Sequence, residues 1–196
     1  MPSLTQLQIK DSSDASLSRL PHDVAQCPKL IDFSVINSDA HDGGIIAFCC
    51  APLMAGLRRL KIVGLNKDEP IPSDAWIPAF ENLNQLETLE LRLVQFIGSI
   101  FAQVHHLRSL RHLILRARCD GPVIDPAAHF IPSADALAEL LQRLPLLRLT
   151  MEVNSLNPYT QTIACQSKAG RLQRAYRDHE GLLALRSRFS FVPSAD

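Results

Sequence analysis

Residues 84–93, Asn-Gln-Leu-Glu-Thr-Leu-Glu-Leu-Arg-Leu, and residues 107–116, Leu-Arg-Ser-Leu-Arg-His-Leu-Ile-Leu-Arg, carry the pattern that decides the fold. In each, an apolar residue is followed by others three and five positions on: Leu86-Leu89-Leu91 and Leu110-Leu113-Leu115. The same spacing occurs upstream at Leu57-Leu60-Ile62, Leu30-Phe33-Val35 and Leu4-Leu7-Ile9, and downstream at Leu146-Leu149-Met151. The starting positions 4, 30, 57, 86, 110 and 146 are separated by 26, 27, 29, 24 and 36 residues. Such regularity is the mark of a repeat architecture. The last interval is longer because residues 120–132, Asp-Gly-Pro-Val-Ile-Asp-Pro-Ala-Ala-His-Phe-Ile-Pro, read as an inserted loop.

Each segment alternates over its last four or five positions, which is strand behaviour. Helical spacing fills the intervals. Ile97, Ile100, Phe101, Val104 and Leu107 share one face, as do Leu137, Leu140, Leu141 and Leu144, with Ser133 or Asp135 placed to cap the start. Leu17, Leu20, Val24 and Cys27 give an earlier face, Ile45, Ile46, Cys49 and Leu53 another, and Trp76, Phe80 and Leu83 a third. A strand and a helix recurring every 26 residues or so cannot bury their apolar faces alone. Stacked, the strands make a parallel sheet and the helices cover its outer side.

The six segments resemble the L-x-x-L-x-L signature of leucine-rich repeat proteins. The long period with a true helix is similar to the subclass found in F-box substrate adaptors and ribonuclease-inhibitor-like proteins. The resemblance implies an α/β, right-handed solenoid of about six repeats, with the parallel β-sheet on its concave face and helices on the convex face. It covers residues 4–155. The family's Asn or Cys ladder is kept at Asn66, Cys119 and Asn154, while Ser12, Ser38, Leu65 and Val94 stand at the other places. The expected organisation is a solenoid over residues 1–156, with an insertion at 119–132, followed by a C-terminal cap helix and tail over 157–196.

Composition narrows the function classes. The chain has 196 residues, with 20 basic and 20 acidic side chains and hence no net charge. Nucleic-acid and membrane-surface binders draw affinity from excess Lys and Arg, so both are disfavoured. Leucine fills 30 positions and alanine 20, against the composition of a disordered chain. Cys27, Cys49, Cys50, Cys119 and Cys165 form an odd set without CxxC, which reads as buried reduced thiols. Neither a signal peptide nor an apolar run of membrane-spanning length is present, so the expected location is intracellular, cytoplasmic or nuclear.

No nucleophile, zinc or phosphate-loop motif occurs. Ser38-Asp39-Ala40-His41-Asp42 reads as turn and cap chemistry, and His105-His106 as a pair at a helix end, where imidazole suits the dipole. The expected protein is therefore not an enzyme and needs no cofactor or metal.

Function would sit on the alternate strand positions. These are Gln6, Gln8, Lys10; Asp32, Ser34, Ile36; Arg59, Lys61, Val63; Thr88, Glu90, Arg92; His112, Ile114, Arg116; and Arg148, Thr150, Glu152. Six are basic and three acidic, so the face is more positive than the chain as a whole. Arg59, Arg92, Arg116 and Arg148 read as a ladder on adjacent strands, suited to bidentate recognition of carboxylate or phosphate. The candidate partner-binding residues are Arg59, Lys61, Glu90, Arg92, His112, Arg116, Arg148 and Glu152.

Residues 166–190 carry Lys168, Arg171, Arg174, Arg177, Arg186 and Arg188 against Asp178 and Glu180. Leu172, Tyr176, His179 and Leu183 give this segment one docking face, and Val192 onward reads as a frayed tail. The first strand begins without a cover, so we expect a piece of a longer gene product. The F-box resemblance implies a protein partner, with cullin-ligase components joining only where a longer form carries the F-box. The alternative is a stand-alone scaffold or inhibitor that holds one protein.

Overall fold

The computed structural model describes residues 4–10, 29–36, 42–63, 73–92, 97–118, 132–154 and 173–193. Seven strands form one sheet in sequence order: β1 (Gln6–Lys10), β2 (Asp32–Ile36), β3 (Arg59–Val63), β4 (Thr88–Arg92), β5 (His112–Arg118), β6 (Arg148–Asn154) and β7 (Phe189–Pro193). Every neighbouring pair is parallel. The register is the one the leucine spacing demands: Leu7, Phe33, Leu60, Leu89, Leu113 and Leu149 stand side by side. A one-residue slip anywhere would turn a strand's apolar set to water.

Between the strands lie helices α1 (Asp42–Cys50), α2 (Ile77–Asn82), α3 (Ile97–Gln103) and α4 (Ala134–Arg143). Three 3-10 turns, Pro52–Gly56, Ser73–Trp76 and Val104–His106, complete them. Their apolar faces and one face of the sheet make a single core. Leu60, Ile62, Leu89, Leu91, Leu113 and Leu115 from the strands meet Ile45, Phe48, Trp76, Phe80, Ile100 and Leu141, all at most 1% exposed. Phe33 stacks on Phe48 at 4.2 Å between ring centroids, joining β2 to α1. Of the two cap candidates for α4, Ser133 is the cap: its hydroxyl accepts from the Ala136 amide at 3.2 Å. Asn82 donates to the carbonyls of Cys49 and Ala51, satisfying groups the end of α1 leaves open. The early face of Leu17, Leu20, Val24 and Cys27, and most of the 119–132 insertion, fall outside the described residues.

The approach to each strand repeats one backbone turn. Leu57, Leu86, Leu110 and Leu147 each donate their amide to a carbonyl three residues back, on Met54, Leu83, Leu107 and Leu144. This corrects the sixth segment. The leucine that fills the buried position is Leu147, not Leu146, which is 72% exposed. The path from Leu147 to Leu149 is one residue shorter than that from Leu110 to Leu113, which pushes Leu146 out to the turn. Leu4, the first of the expected leucines, is also exposed.

The C-terminal reading needs a larger correction. Residues 173–178 are helical and form α5, but the helix stops at His179, and a short α6 (Glu180–Leu183) starts there. The break rotates the docking face: Tyr176 and Leu182 are buried, whereas Leu183 is exposed. His179 makes the new start. Its Nδ1 accepts from the Leu182 amide at 3.4 Å, and its Nε2 meets Asp135 at 3.0 Å, tying α6 to α4. The Tyr176 hydroxyl donates to the Pro132 carbonyl at 2.7 Å, and its ring packs on Phe189 and Phe191. Val192 and Pro193 are not frayed but belong to β7, paired with β6.

Candidate functional site

The face of the sheet turned away from the helices carries three rows of side chains. The first is Gln6, Asp32, Arg59, Thr88, His112 and Arg148. The second is Gln8, Ser34, Lys61, Glu90, Ile114, Thr150 and Ser190. The third is Lys10, Ile36, Val63, Arg92, Arg116, Glu152 and Val192. All eight candidate residues stand on this one face, in neighbouring strands about 4.8 Å apart.

They do not form one arginine ladder. Arg59 and Arg148 lie in the first row with Thr88 and His112 between them, while Arg92 and Arg116 are neighbours in the third. Parallel pairing matches residues by register, and Arg59 starts its strand where Arg92 ends its own.

The ion pairing divides the face further. Glu90 sits at the centre, its side chain 15% exposed, with Oε1 3.3 Å from Lys61 Nζ and 3.5 Å from an Arg116 terminal nitrogen. Arg116 Nε also lies 2.8 Å from Glu152 Oε2. Arg116 Nε and Glu90 Oε1 are both shielded from water without a well-directed hydrogen bond, so the network is held by charge more than by aligned donors. Arg59 reaches Asp32 at 3.5 Å. The three carboxylates of the face are thus committed to Arg59, Lys61 and Arg116. Arg92 and Arg148 have no carboxylate partner among the described residues. The excess positive charge read from the sequence therefore sits on these two side chains and on Lys10, which also has no carboxylate partner among the described residues, rather than on the whole set. Exposed pairs such as Arg59–Asp32 contribute little stability, whereas the half-buried Lys61–Glu90–Arg116–Glu152 chain fixes side-chain positions.

A second cluster, apart from the eight candidate residues, lines the rim where the turns enter the strands. Arg58 precedes β3, Glu87 precedes β4 and Arg111 precedes β5; with Gln85, Arg108, Ser109, Leu110 and Leu146 they surround a cavity of about 340 Å³. Sequence reading passes over these residues because alternation ends one position before each strand. The signal available was the pair of arginines at 108 and 111, three residues apart.

Cys49 is fully buried, and burial drives its thiol pKa far up; the adjacent Cys50 is half-buried. His105 Nδ1 lies 3.0 Å from the Ala102 carbonyl, and His106 lies 3.9 Å from Glu81. Burial, and then the neighbouring His106, lower the His105 pKa. No group of three metal-ligating side chains gathers among the described residues, and no helix there is long and apolar enough to cross a membrane. Residues 37–41, with the Ser38–His41 part of the turn cluster, lie outside them. No protein-family model matches the chain, and no curated protein matches it.

Proposed function

We propose that the chain is a non-catalytic protein-recognition module of leucine-rich repeat type. The seven strands are the inner lining of a right-handed solenoid, the hand favoured for parallel crossovers. One observation carries the reading: seven parallel strands in register bury a single core on one side and set three rows of mostly polar and charged side chains on the other. Helices cover the core side, while the rows keep exposed side chains such as Arg59, 61% exposed, so a partner can lie along them. A face built from fixed charges on rigid strands recognises another surface with little ordering cost.

Within that reading, the L-x-x-L-x-L signature supports a narrower proposal, the substrate-reading portion of an F-box-type ubiquitin-ligase adaptor. Cullin-ligase components would then join through an F-box carried by a longer form. The direct experiment is affinity capture from source cells with the wild-type chain and an Arg92→Glu/Arg148→Glu variant, both checked for a native melting transition. One stoichiometric protein captured by the wild type and lost by the variant is the expected result. Equal capture by both chains would contradict the assignment of the face. Ubiquitin-ligase subunits among the proteins captured by an upstream-extended form would support the adaptor, and a single other protein would point to a scaffold or inhibitor.

A further inference from the structure

The shortened path into β6 has a chemical result at the rim. Leu83–Leu86, Leu107–Leu110 and Leu144–Leu147 close equivalent turns, so Gln85, Ser109 and Leu146 hold equivalent places. Two of these are polar and the third is a leucine that is 72% exposed, the most exposed large apolar side chain among the described residues. The turns are stacked against one another. The Ser109 hydroxyl donates to the Asn84 carbonyl at 2.5 Å, the Glu87 amide donates to the Arg58 carbonyl at 2.8 Å, and the Arg111 amide donates to the Glu87 carbonyl at 2.9 Å. Arg58, Glu87 and Arg111 are thereby set side by side.

Glu87 is the one acid in this lining, and it answers Arg58 at 3.6 Å. Arg108 and Arg111 are exposed and have no carboxylate partner among the described residues. The cavity therefore offers two unanswered guanidinium groups beside one exposed aliphatic side chain.

We infer that this cavity, lined by Arg108, Arg111, Arg58 and Leu146, is a docking pocket for an acidic peptide segment of a protein partner. The inference rests on the reading of the chain as a recognition module and adds to the strand rows a second contact at their rim. Carboxylates of the segment pair with Arg108 and Arg111 in the bidentate geometry guanidinium favours. An aliphatic or aromatic side chain between them covers Leu146. The three stacked turns span about 10 Å, the reach of about three residues of extended peptide. Leu146 is what separates a peptide from a nucleic acid here, since a phosphate backbone gains nothing from an apolar neighbour.

The test uses the full chain and a phage-displayed random peptide library, with an enriched peptide then measured by fluorescence anisotropy. Enrichment of peptides in which acidic residues flank an aliphatic or aromatic one is expected. Arg108→Glu and Arg111→Glu should each weaken the measured peptide by about tenfold or more, and Leu146→Ser should weaken it severalfold. The neutral Arg111→Gln guards against a folding effect of charge reversal and should also weaken binding. Arg143→Gln, on α4 and away from the cavity, should leave it unchanged. Peptides without acidic residues, or acidic peptides that bind the Arg108→Glu and Arg111→Glu variants as well as wild type, would overturn the inference. Loss with Arg92→Glu but not with Arg111→Glu would overturn it while leaving the recognition reading standing, with the contact on the strand rows. Binding of a single-stranded oligothymidylate with the same arginine dependence would overturn it in favour of a nucleic acid.

Discussion

The turn that enters β5 and the turn that enters β7 share one kind of backbone hydrogen bond and differ in chemistry. Leu110 donates its amide to the Leu107 carbonyl at 3.0 Å, and Arg188 donates its amide to the Leu185 carbonyl at 2.8 Å. Leu110 is buried, with turns packed on either side of it. Arg188 stands in the last strand's turn, with β6 as its one partner strand, and its guanidinium donates to the carbonyls of Leu144 at 3.0 Å and Pro145 at 2.8 Å. A position inside the stack must be filled with apolar volume. The turn at the end is half wet, and there a long cation can satisfy its neighbour's carbonyls while its charge stays near water.

The largest break in this contrast comes from the inside. Leu113 is fully buried between Leu89 and Leu149, and Leu113→Ala should cost about 2–5 kcal/mol. Urea unfolding should show this as a lower midpoint with an unchanged slope. A loss under 1 kcal/mol would mean the middle of the sheet is looser than its burial implies.

At the end of the stack the expected effects are smaller and polar. Arg188→Ala removes two charge-assisted hydrogen bonds to backbone carbonyls, worth about 1.5–3 kcal/mol together after solvent competition. Arg188→Leu sharpens the point: if the terminal turn needs donors rather than volume, leucine should rescue little of the loss in thermal unfolding. Tyr176→Phe keeps the ring contacts with Phe189 and Phe191 but leaves the Pro132 carbonyl without its donor, for a cost of about 1 kcal/mol.

The smallest effect concerns pH. The His105 pKa is lowered in the folded chain, so folding favours the neutral ring. Its contribution is complete above the ordinary imidazole range and is lost as pH falls through the folded value. His105→Gln should therefore flatten, slightly, the decline in melting temperature between about pH 7 and pH 5. An unchanged slope would remove His105 from the account.

Sequence legibility follows the same division between inside and end. The strands β1–β6 and the core faces of α2, α3 and α4 were readable because each buried position needs a large apolar residue at a fixed interval. Phe48 was missed on α1 because the expected face there ran through Ile46 and Leu53, which are half-buried, and α1 is apolar on too many sides to define one stripe. β7 was hidden because Arg186 stands three positions before Phe189, where the signature asks for leucine, leaving Phe189-Ser190-Phe191 as the trace of alternation. That the eight candidate residues share one face of the sheet follows from period two alone. Their pairing was not readable, because whether Arg116 or Arg92 meets Glu90 depends on side-chain direction across neighbouring strands, not on spacing along one.

Arginine footprinting tests the central claim most directly. The chain is labelled with phenylglyoxal, alone and with its captured protein partner, and modified arginines are located by mass spectrometry. The account predicts that Arg92, Arg148 and the rim residues Arg108 and Arg111 lose reactivity in the complex. Arg143 on α4 and Arg177 on α5 should keep theirs. Protection of Arg143 and Arg177 with undiminished labelling of Arg92, Arg108, Arg111 and Arg148 would place the partner on the helices and contradict it.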